Sequence, residues 1–237
     1  MDEMDGGVVV MVDGRAKVLQ KAGHFDHELL RRVLDHRPDL VLGPATSGDH
    51  PRLLLVARRA TPTGTTEPGG PVLERVYVDS QGVPLLVGVQ ASADVPADGE
   101  VLMRLLDRVA VELPQWRGGW LRDQARVTHG NRDAAELLRV ALGWRADPDA
   151  FWVRVESNLS RDRVRIVLVV DRLPDELTRV VEFLDWQLRE VDVRAVEVSL
   201  YGSGQVCALV PRSTRAGSGS QRYRPVLEAE GRHRLSG

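Results

Sequence analysis

Four carboxylates in this chain stand where an oxygen-ligand chemistry could be organised: Glu28, Glu74, Asp79 and Asp94. Hard divalent cations take oxygen ligands, and two-metal hydrolases hold their ions about 4 Å apart. These acids therefore form such a site only if two of them converge to within about 5 Å. His24-Phe25-Asp26-His27 sets two imidazoles three residues apart, on one helix face. No third ligand accompanies them, and the stretch reads as a solvated helix start. A second group of residues is basic. Between Arg117 and Arg145 stand Arg117, Arg122, Arg126, Arg132, Arg139 and Arg145 against Asp123, Asp133 and Glu136, a net charge of +3. Trp116, Trp120 and Trp144 interleave them. Guanidinium and indole groups together grip phosphates and stack bases, although tryptophans at helical spacing also serve cores. The rest is quieter. There is no P-loop, and Gly202-Ser203-Gly204 reads as a hairpin turn. The single cysteine, Cys207, lies in an apolar run and reads as a small buried core residue.

The elements that must position these residues are legible from periodicity. Val8 to Val12 is a short edge strand ending in the turn Asp13-Gly14. Phe25, Leu29, Leu30, Val33 and Leu34 recur at helical spacing over 25–36, and the helix should stop before Pro38. Leu53 to Ala60 reads as a strand, and Thr61 to Pro71, rich in Gly and Pro, as a loop. Val72 to Asp79 and Val83 to Ala91 form a hairpin across Ser80-Gln81-Gly82. Glu100 to Leu113 carries an amphipathic stripe. The stretch 116–160 is irregularly helical. Val164 to Val170 is a continuous apolar run, a buried strand. Helix follows over 174–190, then a second hairpin from Val193–Tyr201 and 205–210. From Arg212 the chain is a flexible basic tail, with six Arg against Glu228 and Glu230.

The first hairpin, the segment Leu34-Asp35-His36-Arg37-Pro38-Asp39-Leu40, the run Val169-Val170-Asp171-Arg172-Leu173-Pro174-Asp175-Glu176-Leu177 and the pair Ala195-Val196-Glu197-Val198 with Leu209-Val210-Pro211-Arg212 carry a resemblance. Together they resemble the PD-(D/E)XK nuclease superfamily, most of all the nuclease-like proteins common in actinobacteria. The resemblance spans about Val8 to Arg212. It implies an α/β fold with a restriction-endonuclease-like core: a mixed central sheet flanked by helices, with a helical insertion at about 116–160. It also implies one domain over 1–211, followed by the tail 212–237.

The family's metal-binding positions fall on this chain as follows. The first-helix acid falls near His27, with Glu28 beside it. The strand acid falls on Glu74, which keeps a carboxylate. The Glu and Lys of the second strand fall on Gly88 and Gln90, and the Gln of the following helix on Arg104. Ser92 and Asp94 match polar positions after the strand. Side chains alternate along a strand, so positions 88 and 90 share a face. Gly88 supplies no ligand there and Gln90 no positive charge, so the resemblance implies a degenerate site without metal. No catalytic residues are expected.

At 237 residues the chain is long enough for a substantial core. A net charge of −2 gives no global attraction to nucleic acid, so any such contact needs local patches. No stretch reaches the roughly 20 apolar residues of a membrane helix. The acidic start lacks the charged region of a signal peptide, which leads to the expectation of a cytoplasmic protein without a membrane partner. The reading leans away from an enzyme. It points to a catalytically inactive nuclease-like protein, a nucleic-acid-binding or regulatory subunit, with genome defence or DNA handling implied by analogy alone. Arg117, Arg122, Arg126, Arg132 and Arg139 would make the contact. One alternative is a protein-interaction scaffold, including a homodimer. The other is a Mg²⁺-dependent endonuclease with relocated ligands drawn from Glu28, Glu74, Asp79 and Asp94.

Overall fold

Two strands carry apolar side chains on both faces, and they set the architecture. They are β5 (Pro84–Gln90), buried along its whole length, and β6 (Val164–Val170), buried at all but one position. A strand that is apolar on both sides must lie inside a sheet covered on both sides, the usual setting of parallel pairing. β5 and β6 pair in parallel, with Leu85 opposite Arg165 through Gln90 opposite Val170. The computed structural model describes residues 7–23, 27–42, 52–58, 72–90, 100–116, 119–188, 190–204 and 206–213.

Around this pair the sheet is mixed. β3 (Leu53–Arg58), β4 (Val72–Asp79) and β5 form an antiparallel meander. β7 (Val191–Ser203) lies parallel to β6 on the other side. It then extends beyond β6 and pairs antiparallel with β8 (Val206–Ser213) and, through Tyr201 and Gly202, with β2 (Arg15–Lys21). β1 (Val8–Val12) closes the order β1-β2-β7-β6-β5-β4-β3, with β8 on the opposite edge of β7.

Helices cover both faces. One face buries Leu54, Val76, Leu86, Leu168 and Ala195 under α2 (Glu100–Glu112), α3 (Trp120–Thr128), α4 (Ala134–Leu142), α5 (Pro148–Ser160) and α6 (Asp175–Gln187). The other buries Tyr77, Val87, Val167 and Val196 under α1 (His27–His36) and the 3₁₀ turn Pro38–Leu42, through Leu30, Leu34 and Val41. The chain is thus α/β with a mixed central sheet flanked by helices, and 116–160 is the helical stretch between the meander and β6. Local chemistry sets the ends of these helices. Asp133 caps α4 by accepting from the Glu136 N–H, Gly143 ends it in the left-handed conformation, and Pro148 opens α5 behind the Asp147 cap.

Three departures from the sequence reading stand out. β2 was not anticipated, because six of its seven residues are exposed and only Leu19 is buried, so no alternation marks it. The second hairpin is longer at both ends than its apolar run. Cys207 is exposed rather than buried: it lies opposite Gly202 near the hairpin tip, past the end of the core. The loop 61–71, Ser92, Asp94, Arg117 and the tail beyond Ser213 lie outside the described residues, as do the side chains of His27, Glu28 and Glu74.

Candidate functional site

The β4–β5 hairpin pairs in register from Val78 opposite Pro84 down to Leu73 opposite Gly88. The ladder slips between Leu73 and Arg75, so the backbone of Glu74 occupies an irregular step across from Gly88 and Val87. Leu86, Gly88 and Gln90 share the face that α2 covers. A Cβ placed on Gly88 would lie 2.9 Å from both δ-carbons of Leu105. The tip of the Leu105 side chain fills the space where a side chain at 88 would project, and would have to shift to admit one. Gln90 is buried on the same face, at 6% exposure. Arg104, one residue before Leu105, is turned outward and exposed. A neutral amide, a glycine and an apolar plug give a divalent cation no carboxylate at these positions. The ligand set of a Mg²⁺ site does not fit here.

Of the four candidate acids only Asp79 has its side chain among the described residues. Asp79 lies five residues from Glu74 along one strand, roughly 16 Å at about 3.3 Å per residue. Its carboxylate, 1% exposed, is already engaged. It accepts from the Gln81 and Val83 N–H groups at 2.8 and 2.9 Å, which fixes the hairpin turn. It also accepts from Arg165 at 2.9 Å, and Arg165 in turn meets Asp192. Asp79 therefore clamps the hairpin turn to β6. Among the described residues no three His, Cys, Asp or Glu side chains gather as a metal site would require.

Two polar arrangements escaped the sequence reading. At the carboxyl ends of the parallel strands, Gln90, Val170 and Glu197 form one row. Glu197 accepts from the Leu173 N–H at 3.0 Å and from the Ser199 hydroxyl at 3.3 Å, holding the loop that leads into α6. The signal for it was an acid set between the buried positions Val196 and Val198. On the opposite face, the buried Arg75 pairs with Asp35 of α1 at 2.7 Å, and Arg58 pairs with the same carboxylate at 2.9 Å. Tyr77 donates to the Leu34 carbonyl at 3.0 Å. Burial pushes the Tyr77 phenol well above its ordinary value of 10.0, against the opposing pull of Arg75. These contacts dock α1 on β4.

The basic residues of the helical stretch divide. Arg122, Arg126 and Arg132 line one pocket of about 140 Å³ between α3 and α4, with Leu138 and Trp152 among the lining residues. Arg139 does not join them; it forks onto Glu136, three residues before it. The tryptophans serve packing. Trp116 is buried and stacks on Trp120 at 5.3 Å, Trp144 meets Phe151 edge-on, and Arg154 lies 5.0 Å over Trp144. The pocket is fixed to the sheet from below. The bulge between Leu55 and Ala57 in β3 turns two successive carbonyls toward α3. Thr128 donates to the Val56 carbonyl at 2.6 Å, and the His129 Nε2–H donates to the Leu55 carbonyl at 2.7 Å.

Compared with protein-family models, with curated proteins and with solved structures, the chain gives no match.

Proposed function

We propose that this chain is a non-catalytic protein built on a restriction-endonuclease-like core, and that it binds nucleic acid through the arginine-bearing surface of α3 and α4. The observation that carries the reading is the contact of Leu105 with Gly88, which makes the hairpin's expected chemical face a packing surface. The order α1–β3–β4–β5–helices–β6, an antiparallel meander followed by a parallel crossover, agrees with the core the resemblance implies. The exposed guanidiniums of α3 and α4, Arg132 among them without an ion pair to a described residue, support a phosphate-bearing ligand, since phosphate contacts supply most sequence-independent affinity.

The test is fluorescence anisotropy with single- and double-stranded DNA and RNA at two salt concentrations, beside a plasmid-nicking assay with Mg²⁺ and Mn²⁺. The expected result is salt-sensitive binding, weakened in the Arg126→Ala and Arg132→Ala variants, with no cleavage. Metal-dependent cleavage that Glu74→Ala abolishes would make the chain an endonuclease. Absence of binding to any oligonucleotide would remove the nucleic-acid role.

A second reading, a homodimeric scaffold, draws on α6. Val180, Phe183 and Trp186 recur every third residue on that helix and are all exposed, Trp186 to 72%. Sedimentation equilibrium separates the two. A dimer lost on Phe183→Ser and Trp186→Ser would favour the scaffold.

A further inference from the structure

We propose that the pocket between α3 and α4 receives a phosphomonoester, the terminal phosphate of a nucleic-acid strand; this rests on the nucleic-acid reading above and narrows it. Arg122 is held by Asp149 at 2.7 Å. The nearest acid to Arg126 is Asp123, 4.0 Å away, with both groups exposed. Arg132 forms no ion pair among the described residues, and no carboxylate lines the pocket. Arg132 is therefore uncompensated and Arg126 only loosely paired. A phosphomonoester carries about −1.5 to −2 charges near neutral pH, while an internal phosphodiester carries one. The charge of the pocket matches the chain end better than the chain middle.

Shape points the same way. A strand passing through would need a groove open at both ends. This hollow has buried Leu138, Ala125 and Trp152 in its wall, and its volume is near that of an engineered cavity of about 150 Å³ that holds one benzene. That volume admits one phosphate group. Guanidinium forks bind phosphate oxygens in pairs. The arginines are presented from fixed backbone. Gly130 and Asn131 both take left-handed φ values, 66° and 59°, in the turn that carries Arg132. Thr128 and His129 pin the start of that turn to β3. A site ordered before binding loses less entropy when the ligand arrives.

The experiment uses the full chain and one short single-stranded oligonucleotide in three forms: 5′-phosphorylated, 3′-phosphorylated and hydroxyl at both ends. Inorganic phosphate and adenosine monophosphate serve as competitors. At least one phosphorylated form should bind about ten-fold tighter than the hydroxyl form, the equivalent of one charge-assisted hydrogen bond. Arg132→Ala and Arg126→Ala should erase that preference, while Arg163→Ala, an exposed residue outside the pocket, should keep it. Arg132→Lys should retain charge and part of the preference, which separates recognition from misfolding. Equal binding of all three forms would overturn strand-end recognition and leave the nucleic-acid reading standing. Binding of phosphate or mononucleotide without any oligonucleotide would overturn both and make the ligand a free phosphomonoester. No phosphate-dependent binding at all would overturn the proposal.

Discussion

The β4–β5 hairpin and the α3–α4 turn are both bordered by arginines and both tied to helices, yet their charges are treated differently. At the hairpin each inward arginine has a carboxylate within 3 Å, Arg75 with Asp35 and Arg165 with Asp79. At the turn, Arg126 and Arg132 have no acid so close. Charges in the first region hold strands and a helix in place, and paired charges inside a protein do little else. Charges in the second remain available to a ligand. The comparison teaches where to look for function in a chain whose expected catalytic face is closed. Arginines border both regions, but only the turn holds one, Arg132, without an ion pair among the described residues.

The most severe way to break this contrast is to put a side chain back on the closed face. Gly88→Glu would drive a carboxylate into the δ-carbons of Leu105, combining overpacking with an unsatisfied buried group. A loss on the order of 4 kcal/mol is expected, read from the urea midpoint. Adding Gln90→Lys should not produce metal-dependent nicking, because Leu105 still occupies the face. A Gly88→Glu protein as stable as wild type would show that the face is open and that the contrast is wrong.

Next in size is Asp79→Ala. It leaves the Gln81 and Val83 N–H groups without their shared acceptor and Arg165 with Asp192 alone. About 3 kcal/mol of stability should be lost, as for one partner removed from a buried pair. A change under about 1 kcal/mol would make Asp79 an ordinary surface charge.

These two residues also show what the sequence could and could not tell. The strands at 53, 72, 84 and 164 were legible because their apolar residues alternate or run unbroken, and burial selects those patterns directly. Gly88 was visible only as a missing ligand; that Leu105 fills its space depends on where α2 packs. The role of Asp79 was not legible, because its partner Arg165 is 86 residues away and strand pairing alone brings them together. The same holds for the pocket. Arg122, Arg126 and Arg132 were visible as a basic run, but the separation of Arg139 from them depends on the path of the α3–α4 turn. β2 carries almost no signal, because it pairs through backbone groups and buries one side chain.

A smaller effect concerns the hairpin's other face. With its folded pKa raised by burial, Tyr77 keeps its proton above pH 10.0 while the unfolded chain releases it. The unfolded state then binds fewer protons, so stability falls as pH rises, by about 1.4 kcal/mol per pH unit from this group. Below pH 10.0 its contribution is fully present. Tyr77→Phe should remove that slope while losing the bond to the Leu34 carbonyl. An unchanged alkaline slope in Tyr77→Phe would assign it to other groups.

The smallest expected effect lies on the open side and tests how firmly the pocket is held. Thr128→Val keeps the shape of the side chain and deletes the hydroxyl that donates to the Val56 carbonyl. That carbonyl belongs to the outermost strand of the described sheet, so it has no ladder partner to return to. The cost should be about 1 kcal/mol, the usual net worth of one hydrogen bond. The informative measurement is local. Hydrogen exchange should accelerate in α3 and in the turn 129–132, while α5, which does not use this contact, stays protected. If the pocket depends on a turn held in place by β3, phosphate-end preference should fall in Thr128→Val although every arginine is intact. An undiminished preference beside faster exchange would mean that the guanidiniums find the phosphate from a mobile turn. The hairpin and the turn would then differ in charge compensation alone, and not in rigidity.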